Sequence, residues 1–304
     1  MGTPDTHCSE LSECARLAGI TLAGMGIVTV EERRLVNGMQ ATLEKDGRSC
    51  RINYYWSVKK GFSLVPAGGD SQLLSIVSCV LSGKPAPVMI AGLRIGTDEA
   101  GKGDWFGPLV AAGVACDDAA AAALSSAGVA DSKTLSNRRV LELLDIVSDM
   151  DGVFRSSRVI QPPEYNGLFS DFAARGMNSL DIQAMAHGEV ITDLLNRSGA
   201  RQVVVDRFCP EERLAPWITG TDFTLSLRCR AEDDPAVAAA SIIARGLYLK
   251  SLDALSLELG VPISPGSGAP ADATGRQLVT TWGIGVLYQC AKVHFGNYSR
   301  IASP

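Results

Sequence analysis

Two adjacent carboxylates followed by a glycine-rich turn carry the strongest chemical signal in this sequence. Asp98 and Glu99 come at the end of a short strand-like run, within the segment GTDEAGKGDWFGP of residues 96–108. Carboxylates at a strand end are hard oxygen ligands suited to Mg²⁺ or Mn²⁺. In the turn Gly101-Lys102-Gly103, the glycines let a backbone approach a phosphate and the lysine supplies positive charge. An ordinary turn after a strand has the same composition, so this segment alone leaves both interpretations open.

Further carboxylates follow at two distant places in the chain. The apolar run VVVD ends in Asp206, and Glu232, Asp233 and Asp234 come just before a predicted helix. Ligands of an α/β sheet collect beyond the strand ends, so Asp98, Glu99, Asp206 and one of residues 232–234 could converge. Such a cluster repels itself unless divalent cations neutralise it. Consecutive residues of a regular strand point to opposite faces, so the adjacent pair shares one site only where its strand ends or twists.

The elements that must position these residues alternate between strand and helix patterns. Apolar runs predict strands, and helical spacing or alanine-rich composition predicts helices. This alternation is typical of an α/β domain. The predicted strands are 95–97, 109–115 and 201–205, and the predicted helices are 117–128, 136–150, 181–197 and 236–259.

The amino-terminal part reads as a small α+β unit with a different charge character. Strands are predicted at 39–43, 51–58 and 62–65 and a helix at 71–81, before a Pro/Gly-rich linker at 82–87. Residues 33–60 contain seven basic residues against two acidic ones. Such a sheet can hold phosphates and present Tyr54 or Trp56 as stacking surfaces, although an ordinary sheet that buries one aromatic face fits equally well. The candidate phosphate-binding residues are Arg51, Lys59 and Lys60.

Composition excludes several classes of protein. The chain has 304 residues, 46% of them hydrophobic, and a net charge of −5, which excludes wholesale disorder and a histone-like wrapper of nucleic acid. No apolar run reaches the roughly 20 residues of a membrane span, and the polar start lacks a secretory pattern. The eight cysteines are scattered without a CxxC pair, so no disulfide framework or structural zinc site is expected. We therefore expect a cytoplasmic protein that needs neither a membrane nor an obligate protein partner.

Taken together, the motifs resemble a known family. GTDEAGKGDWFGPLV, DSKTLS at 131–136, VVVDRF at 203–208, RAEDDPAVAAASIIAR at 230–245 and KVHFGN at 292–297 are similar to a bacterial type 2 ribonuclease H, most of all ribonuclease HIII. The resemblance runs through essentially the whole chain. The tail lacks the tyrosine-containing segment by which ribonucleases HII recognise a lone ribonucleotide, which favours HIII.

The resemblance implies a fold and an activity. A ribonuclease H-like α/β catalytic domain over residues 89–304 would follow a small α+β, TBP-like substrate-binding domain and its linker over residues 1–88. The enzyme would be an endonuclease that cuts the RNA strand of RNA–DNA hybrids with two Mg²⁺ or Mn²⁺ ions, leaving 5′-phosphate and 3′-hydroxyl ends. Cutting at isolated ribonucleotides in DNA, or hybrid binding without catalysis, are the rival functions.

The resemblance also assigns roles to single residues. Asp98 and Glu99 match the paired acidic residues of the family's active site, Asp206 its central aspartate and Glu232 its fourth carboxylate, with Asp233 and Asp234 as alternatives for that position. The turn from Gly101 to Gly103 matches the segment that grips the nucleic-acid backbone. Ser132 and Lys133 fall near the substrate, although a loop-stabilising role is as plausible. Two histidines, His187 and His294, are expected to pack or hydrogen-bond rather than act as bases.

Overall fold

The chain divides into two compact units, Met1–Met89 and Ile90–Pro304. The structure is a computed structural model, and it describes residues 4–57, 61–81, 92–130, 132–220, 222–228 and 231–302. The predicted linker at 82–87 and the candidate phosphate-binding residues Lys59 and Lys60 lie outside the described residues. Within the described part, none of the helices has the length and apolarity that crossing a membrane requires.

The described residues of the first unit form a four-stranded antiparallel sheet with two helices. Its strand order is β1-β2-β3-β4. The sequence predicted β2, β3, β4 and the second helix but missed the first helix and β1. The sequence of β1, VTVEERRL, has mixed charges, is almost entirely exposed and shows no sustained apolar alternation. The elements are α1 (Pro4–Ala23), β1 (Val28–Leu35), β2 (Gly38–Lys45), β3 (Arg48–Ser57), β4 (Gly61–Gly69) and α2 (Ser71–Leu81).

One face of this sheet forms a core with the two helices. Leu43 and Ile52 pack there against Leu22 of α1 and Val77 of α2. Tyr54 belongs to the same core: it is 1% exposed and its ring stacks on Phe62 at a centroid distance of 5.4 Å. The prediction that Tyr54 offers a stacking surface is therefore wrong, because strand alternation points its side chain toward the helices.

Over its described residues, the second unit contains a mixed five-stranded sheet with β5 at its centre. The strand order is β7-β6-β5-β8-β9; β5, β6 and β7 pair antiparallel, and β8 and β9 run parallel to β5. The sequence predicted β5, β6 and β8 but not β7 or β9. The strands are β5 (Arg94–Ala100), β6 (Leu109–Cys116), β7 (Phe154–Ile160), β8 (Gln202–Asp206) and β9 (Thr224–Arg228).

Helices cover both faces of this sheet, and the described residues form two large cores against it. One core contains apolar residues of α3, α4 and α8 packed against β6, and the other contains residues of α5 and α6 packed against β5, β6 and β8. The predicted α/β class and all four predicted helices of this unit are confirmed. The helices are α3 (Asp118–Ser126), α4 (Asn137–Asp149), α5 (Pro162–Ala173), α6 (Ser179–Ser198), α7 (Glu211–Leu214), α8 (Pro235–Leu259), α9 (Ala269–Trp282), α10 (Val286–Cys290) and α11 (Gly296–Ala302).

A glycine allows the start of α8 to lie directly on the central strand. A Cβ atom added at Gly96 would come within 2.3 Å of the Val237 backbone nitrogen, closer than any side chain can be accommodated. Asp234 caps the helix by accepting the Ala236 backbone N–H at 2.9 Å, and Pro235 occupies the first turn, where its missing N–H leaves no donor unsatisfied. The helix start therefore lies two residues from Asp98 along β5.

Candidate active site

The acidic pair lies where β5 extends beyond its pairing with β8. The parallel pairing ends at Thr97 and Val205, whereas the antiparallel pairing with β6 continues to Ala100. The strand thus does not end at Asp98 and Glu99. Because successive side chains of a strand alternate between faces, the two carboxylates have different neighbours.

Asp98 is a buried carboxylate among other acidic groups. It is 4% exposed, and its Oδ1 atom accepts the Glu99 backbone N–H at 2.8 Å. Burial, followed by repulsion from the Glu99 and Asp206 carboxylates, raises the pKa of Asp98 to about 7, although the Lys133 ammonium acts in the opposite direction. A charged Asp98 is therefore costly unless a cation neutralises it.

Glu99 is held in its ionised form by two partners. Its side chain is 5% exposed; Oε1 accepts from Lys102 Nζ at 2.5 Å, and Oε2 lies 3.2 Å from His187 Nε2. Burial alone would raise the pKa of Glu99, but hydrogen bonds and charge from His187 and Lys102 lower it to about 2. The two adjacent carboxylates thus differ in their affinity for a proton because their surroundings differ.

His187 of α6 is a site residue that sequence reasoning did not connect to the carboxylates. It is fully buried, and its Nδ1 atom lies 2.9 Å from Thr97 Oγ1. Nε2 lies within hydrogen-bond distance of Glu99 and Nδ1 within hydrogen-bond distance of the Thr97 hydroxyl, which can donate or accept, so both ring nitrogens have a partner. The expectation of a hydrogen-bonded histidine agrees with these contacts. No local signal pairs it with Glu99, because the two residues are 88 positions apart.

Asp206 links the end of β8 to the acidic segment before α8. Its Oδ1 atom accepts the Ala231 backbone N–H at 3.2 Å. Ala231 begins a short 3₁₀ turn, Ala231–Asp233, so Glu232 directly follows the residue bonded to Asp206. Since Asp206 also acts electrostatically on Asp98, the strand ends and the start of α8 meet in one region.

Asp234 is committed to a structural ion pair. Its Oδ2 atom accepts from Arg94 Nε at 2.8 Å, and both side chains are nearly inaccessible to solvent, at 4% and 6% exposure. Arg94 also donates to Asp118 at 3.0 Å. With its other oxygen capping α8, Asp234 has both oxygens engaged, which favours another member of the acidic trio as the fourth site carboxylate.

The glycine turn presents one constrained and one open position. Gly101 has φ +84°, and a Cβ atom there would come within 2.2 Å of the Pro108 carbonyl oxygen. Gly103 has open space on its Cβ side, with no atom within 4 Å. Lys102 is exposed except for its contact with Glu99. The turn therefore leaves room for a ligand next to the exposed Lys102 and the open side of Gly103.

Ser132 and Lys133 have different surroundings. Ser132 is 3% exposed, and its hydroxyl lies 2.5 Å from the Ser241 hydroxyl of α8, while its carbonyl accepts from Arg245. Ser132 thus anchors its loop to α8. Lys133 is exposed, and its charge reaches Asp98.

His294 packs in an aromatic cluster. Its ring stacks on Phe169 at 4.2 Å and on Tyr165 at 5.3 Å. Burial, together with the nearby Lys292 charge, lowers the pKa of His294 to about 4. These contacts agree with the packing role that we expected for it.

Arg51, in the first unit, lies on the sheet face opposite the helices. Its side chain is exposed, and Asn53 and Tyr55 share this face by strand alternation. Asn53 joins Gln40 and Tyr55 by hydrogen bonds of 2.8 and 3.3 Å. The β3 residues on this face are therefore polar.

The donor chemistry of the second unit fits a hard divalent cation. The carboxylates of Glu99 and Asp206 both raise the pKa of the buried Asp98, and carboxylates are the ligands that Mg²⁺ and Mn²⁺ prefer. They are not gathered around one point: across the described residues, no group of three or more His, Cys, Asp or Glu side chains could hold a metal as it stands. Binding would therefore require the carboxylates to turn toward the ion.

Comparisons with known proteins give this geometry a family context. The family model for ribonuclease HII matches residues 95–298. Ribonuclease HIII of Protochlamydia amoebophila is 38% identical over 210 residues, covering 68% of each chain. Ribonuclease HIII of Geobacillus sp. is 30% identical over 226 residues, 72% of this chain and 73% of the relative.

Solved structures share the fold over nearly the whole chain. Bst ribonuclease HIII in complex with Mn²⁺ covers 95% of this chain and 96% of its own, with a TM-score of 0.64 and 23% identity. Ribonuclease H3 of Aquifex aeolicus covers 93% and 97%, with a TM-score of 0.56 and 25% identity. The chain therefore belongs to the ribonuclease HII family of metal-dependent type 2 ribonucleases H, and the curated relatives described above are ribonucleases HIII.

Proposed function

We propose that this protein is an endonuclease that hydrolyses the RNA strand of RNA–DNA hybrids. One observation carries the proposal: the buried Asp98 carboxyl on β5 is repelled by the carboxylates of Glu99 and Asp206. A folded protein keeps such mutually repelling groups at a cost, and metal binding is the function that benefits from them. Membership of a ribonuclease family supplies the substrate class.

Four carboxylates are the proposed metal ligands. Asp98, Glu99 and Asp206 come from the central strands, and Glu232 follows the residue that donates to Asp206. Two Mg²⁺ or Mn²⁺ ions held there would activate a water for in-line attack on phosphorus and stabilise the departing 3′ oxygen, leaving 5′-phosphate and 3′-hydroxyl ends.

Other residues of this unit would bind and orient the nucleic acid. The backbone of Gly101 and Gly103 and the exposed ammonium of Lys102 would hold a phosphate next to Glu99. Lys133 would supply a second positive charge on the side of Asp98, and Ser132 would keep its loop against α8. Contacts to the 2′-hydroxyl would select the RNA strand, since that group distinguishes RNA from DNA.

Residues 1–88 would form a TBP-like substrate-binding domain, and residues 89–304 the catalytic domain. A sheet with helices on one face leaves its other face available for a ligand, and here the β3 residues on that face are polar and include the exposed Arg51. Phosphate contacts from Arg51, Lys59 and Lys60 would provide affinity without sequence preference. A cytoplasmic location is the setting that this substrate implies.

Cleavage of a labelled RNA–DNA hybrid tests the function. The full chain should cut the RNA strand internally with Mg²⁺ or Mn²⁺ and stop when a chelator is added, whereas an all-DNA duplex should stay intact. A duplex with one ribonucleotide serves as the matched substrate: preferential cutting there would assign the activity to isolated ribonucleotides instead. Hybrid binding without cleavage in either metal would identify a non-catalytic binding protein.

A further inference from the structure

Lys292 is a fully buried cation that lies outside the carboxylate cluster. Lys292 is 0% exposed. Its Nζ atom donates to the carbonyl oxygens of Asp104 at 3.0 Å and Gly107 at 2.8 Å and lies 5.7 Å from the centre of the Tyr165 ring. Burial lowers the pKa of Lys292 to about 7. A methionine or leucine would fill this space without the desolvation cost of an amine. What Lys292 adds to an apolar side chain is therefore its hydrogen bonds to the two carbonyl oxygens.

The two carbonyls that Lys292 joins belong to residues 104–107, which directly follow Gly103. Together with Gly101-Lys102-Gly103 they form one glycine-rich turn, Gly101–Gly107. Residues 105–107 run beside residues 290–292: Lys292 N donates to Trp105 O at 2.9 Å, and Gly107 N donates to Cys290 O at 2.9 Å. Phe106 and Ala291 form an isolated antiparallel bridge between these segments. The lysine side chain then bonds to carbonyls at both ends of residues 104–107, so this part of the turn is held along its length.

Residues 290–293 are themselves anchored to α5. The Asn166 side chain donates to Ala291 O at 2.9 Å and accepts the Val293 backbone N–H at 3.0 Å. Asn166 is 5% exposed, so both bonds are shielded from water. The glycine turn is thus connected through Lys292 and Asn166 to a helix packed on the sheet.

The exposed part of the turn depends on this buried part. Gly101 and Gly107 have positive φ angles of 84° and 76°, and the Asp104 backbone N–H closes the turn onto Gly101 O at 3.3 Å. Gly103 has no neighbour within 4 Å on its Cβ side. Glycines have the most conformational freedom to lose on ordering, so contacts at Asp104 and Gly107 must restrict the segment between them and Gly101.

We propose that Lys292 is a positioning residue that fixes the Gly101–Gly107 turn in the conformation that receives a substrate phosphate. This role rests on the proposed function, in which the turn binds the hybrid. A turn ordered before the substrate arrives loses less conformational entropy on binding and holds the scissile phosphate in the geometry for attack.

Kinetics of the full chain with Lys292→Met test the role. Methionine retains most of the side-chain volume and has no donor, so kcat/KM for the hybrid should fall at least tenfold, mainly through KM. Lys250→Met, on the exposed surface of α8, is the matched lysine control and should stay within twofold of the parent. Val147→Ala, a buried change in α4, controls for destabilisation and should also keep kcat/KM within twofold below its melting temperature.

Chemical rescue separates the donors of Lys292 from its volume. Ethylammonium should restore at least part of the kcat/KM lost by Lys292→Ala, whereas ethanol at the same concentration should not. Parent-like kcat/KM in Lys292→Met, an equal loss in Val147→Ala, or equal rescue by both compounds would overturn the proposal.

Two further measurements cover the remaining outcomes. If both Lys292 variants fail to fold, Asn166→Ala takes their place, because it releases residues 291–293 without touching the turn; an unchanged kcat/KM there would contradict the role. If the parent cuts no hybrid, the proposed function fails, yet hydrogen exchange of residues 101–107 still tests the positioning. Exchange there should be at least tenfold faster in Lys292→Met than in Lys250→Met, and equal rates would refute it.

Discussion

Replacing Asp98 with asparagine is expected to stabilise the metal-free protein while removing its activity. The carboxyl is 4% exposed and surrounded by acidic groups, so its negative charge is unfavourable in the folded state. Asparagine has nearly the same shape and keeps the oxygen that accepts the Glu99 backbone N–H. The substitution therefore removes the charge and leaves the local contact.

The size of the effect follows from the pKa of Asp98. Burial and the neighbouring carboxylates raise it from 3.8 to about 7, and each pH unit between the two values is worth about 1.4 kcal/mol. Because the pKa is raised in the folded state, Asp98 contributes its full share to the free energy of unfolding below pH 3.8, where it is protonated in both states. This contribution is lost as the pH rises to about 7. Relative to the Asp98→Asn variant, the parent should be less stable by about 2 kcal/mol at about pH 5 and by about 4 kcal/mol at about pH 8.

Urea unfolding in the presence of a chelator measures this difference at both pH values. Asp253→Asn, which changes an exposed carboxylate of α8, is the matched control and should show a much smaller stability difference at both pH values. In the presence of metal, Asp98→Asn should reduce kcat by at least about a hundredfold, since a ligand worth several kcal/mol of transition-state stabilisation is lost, while hybrid binding should be equal or tighter. A pH-independent stability gap would refute the electrostatic reasoning, and near-parental cleavage would refute the assignment of Asp98.

Three further outcomes are expected. Glu232→Gln should lower kcat/KM at least about a hundredfold without changing the melting temperature. Asp234→Asn should instead destabilise the protein by up to about 3 kcal/mol, because it breaks a buried ion pair. The reverse pattern in kinetics and thermal melts would make Asp234 the fourth ligand. Gly101→Ala should cost stability and raise KM because its φ is +84° and its Cβ would meet a carbonyl at 2.2 Å, while Gly103→Ala, with open space, should change unfolding little; equal stability losses would contradict the geometry of the turn. Deleting residues 1–88 should raise KM and make hybrid binding less dependent on salt, with kcat within about tenfold of the parent, and unchanged affinity across salt concentrations would exclude a binding role for this segment.

Local patterns were sufficient to predict the main elements of the second unit. The apolar run that ends at Asp206 became β8, and the helix after Asp234 became α8, because apolar runs and caps report structure within a few residues. They were insufficient for β1, β7 and β9, in which Ile160 of β7 is the one buried residue. Of the two predicted stacking aromatics, Tyr54 was wrong and Trp56 is partly exposed. The reason is related: alternation predicts two faces of a strand but does not say which one the helices cover.

The sequence by itself determined which side chains are available for chemistry: the acidic pair, the glycine turn, the acidic strand end and the acidic start of α8. Only the tertiary structure decided how each is used. His187 bonds to Glu99 across 88 positions, Arg94 engages Asp234 across 140, and Lys292 reaches the turn across 185. Such partners depend on strand order and on the helix packed over each strand. No periodicity along the chain encodes those arrangements, because local patterns report only the conformation and burial of neighbouring residues.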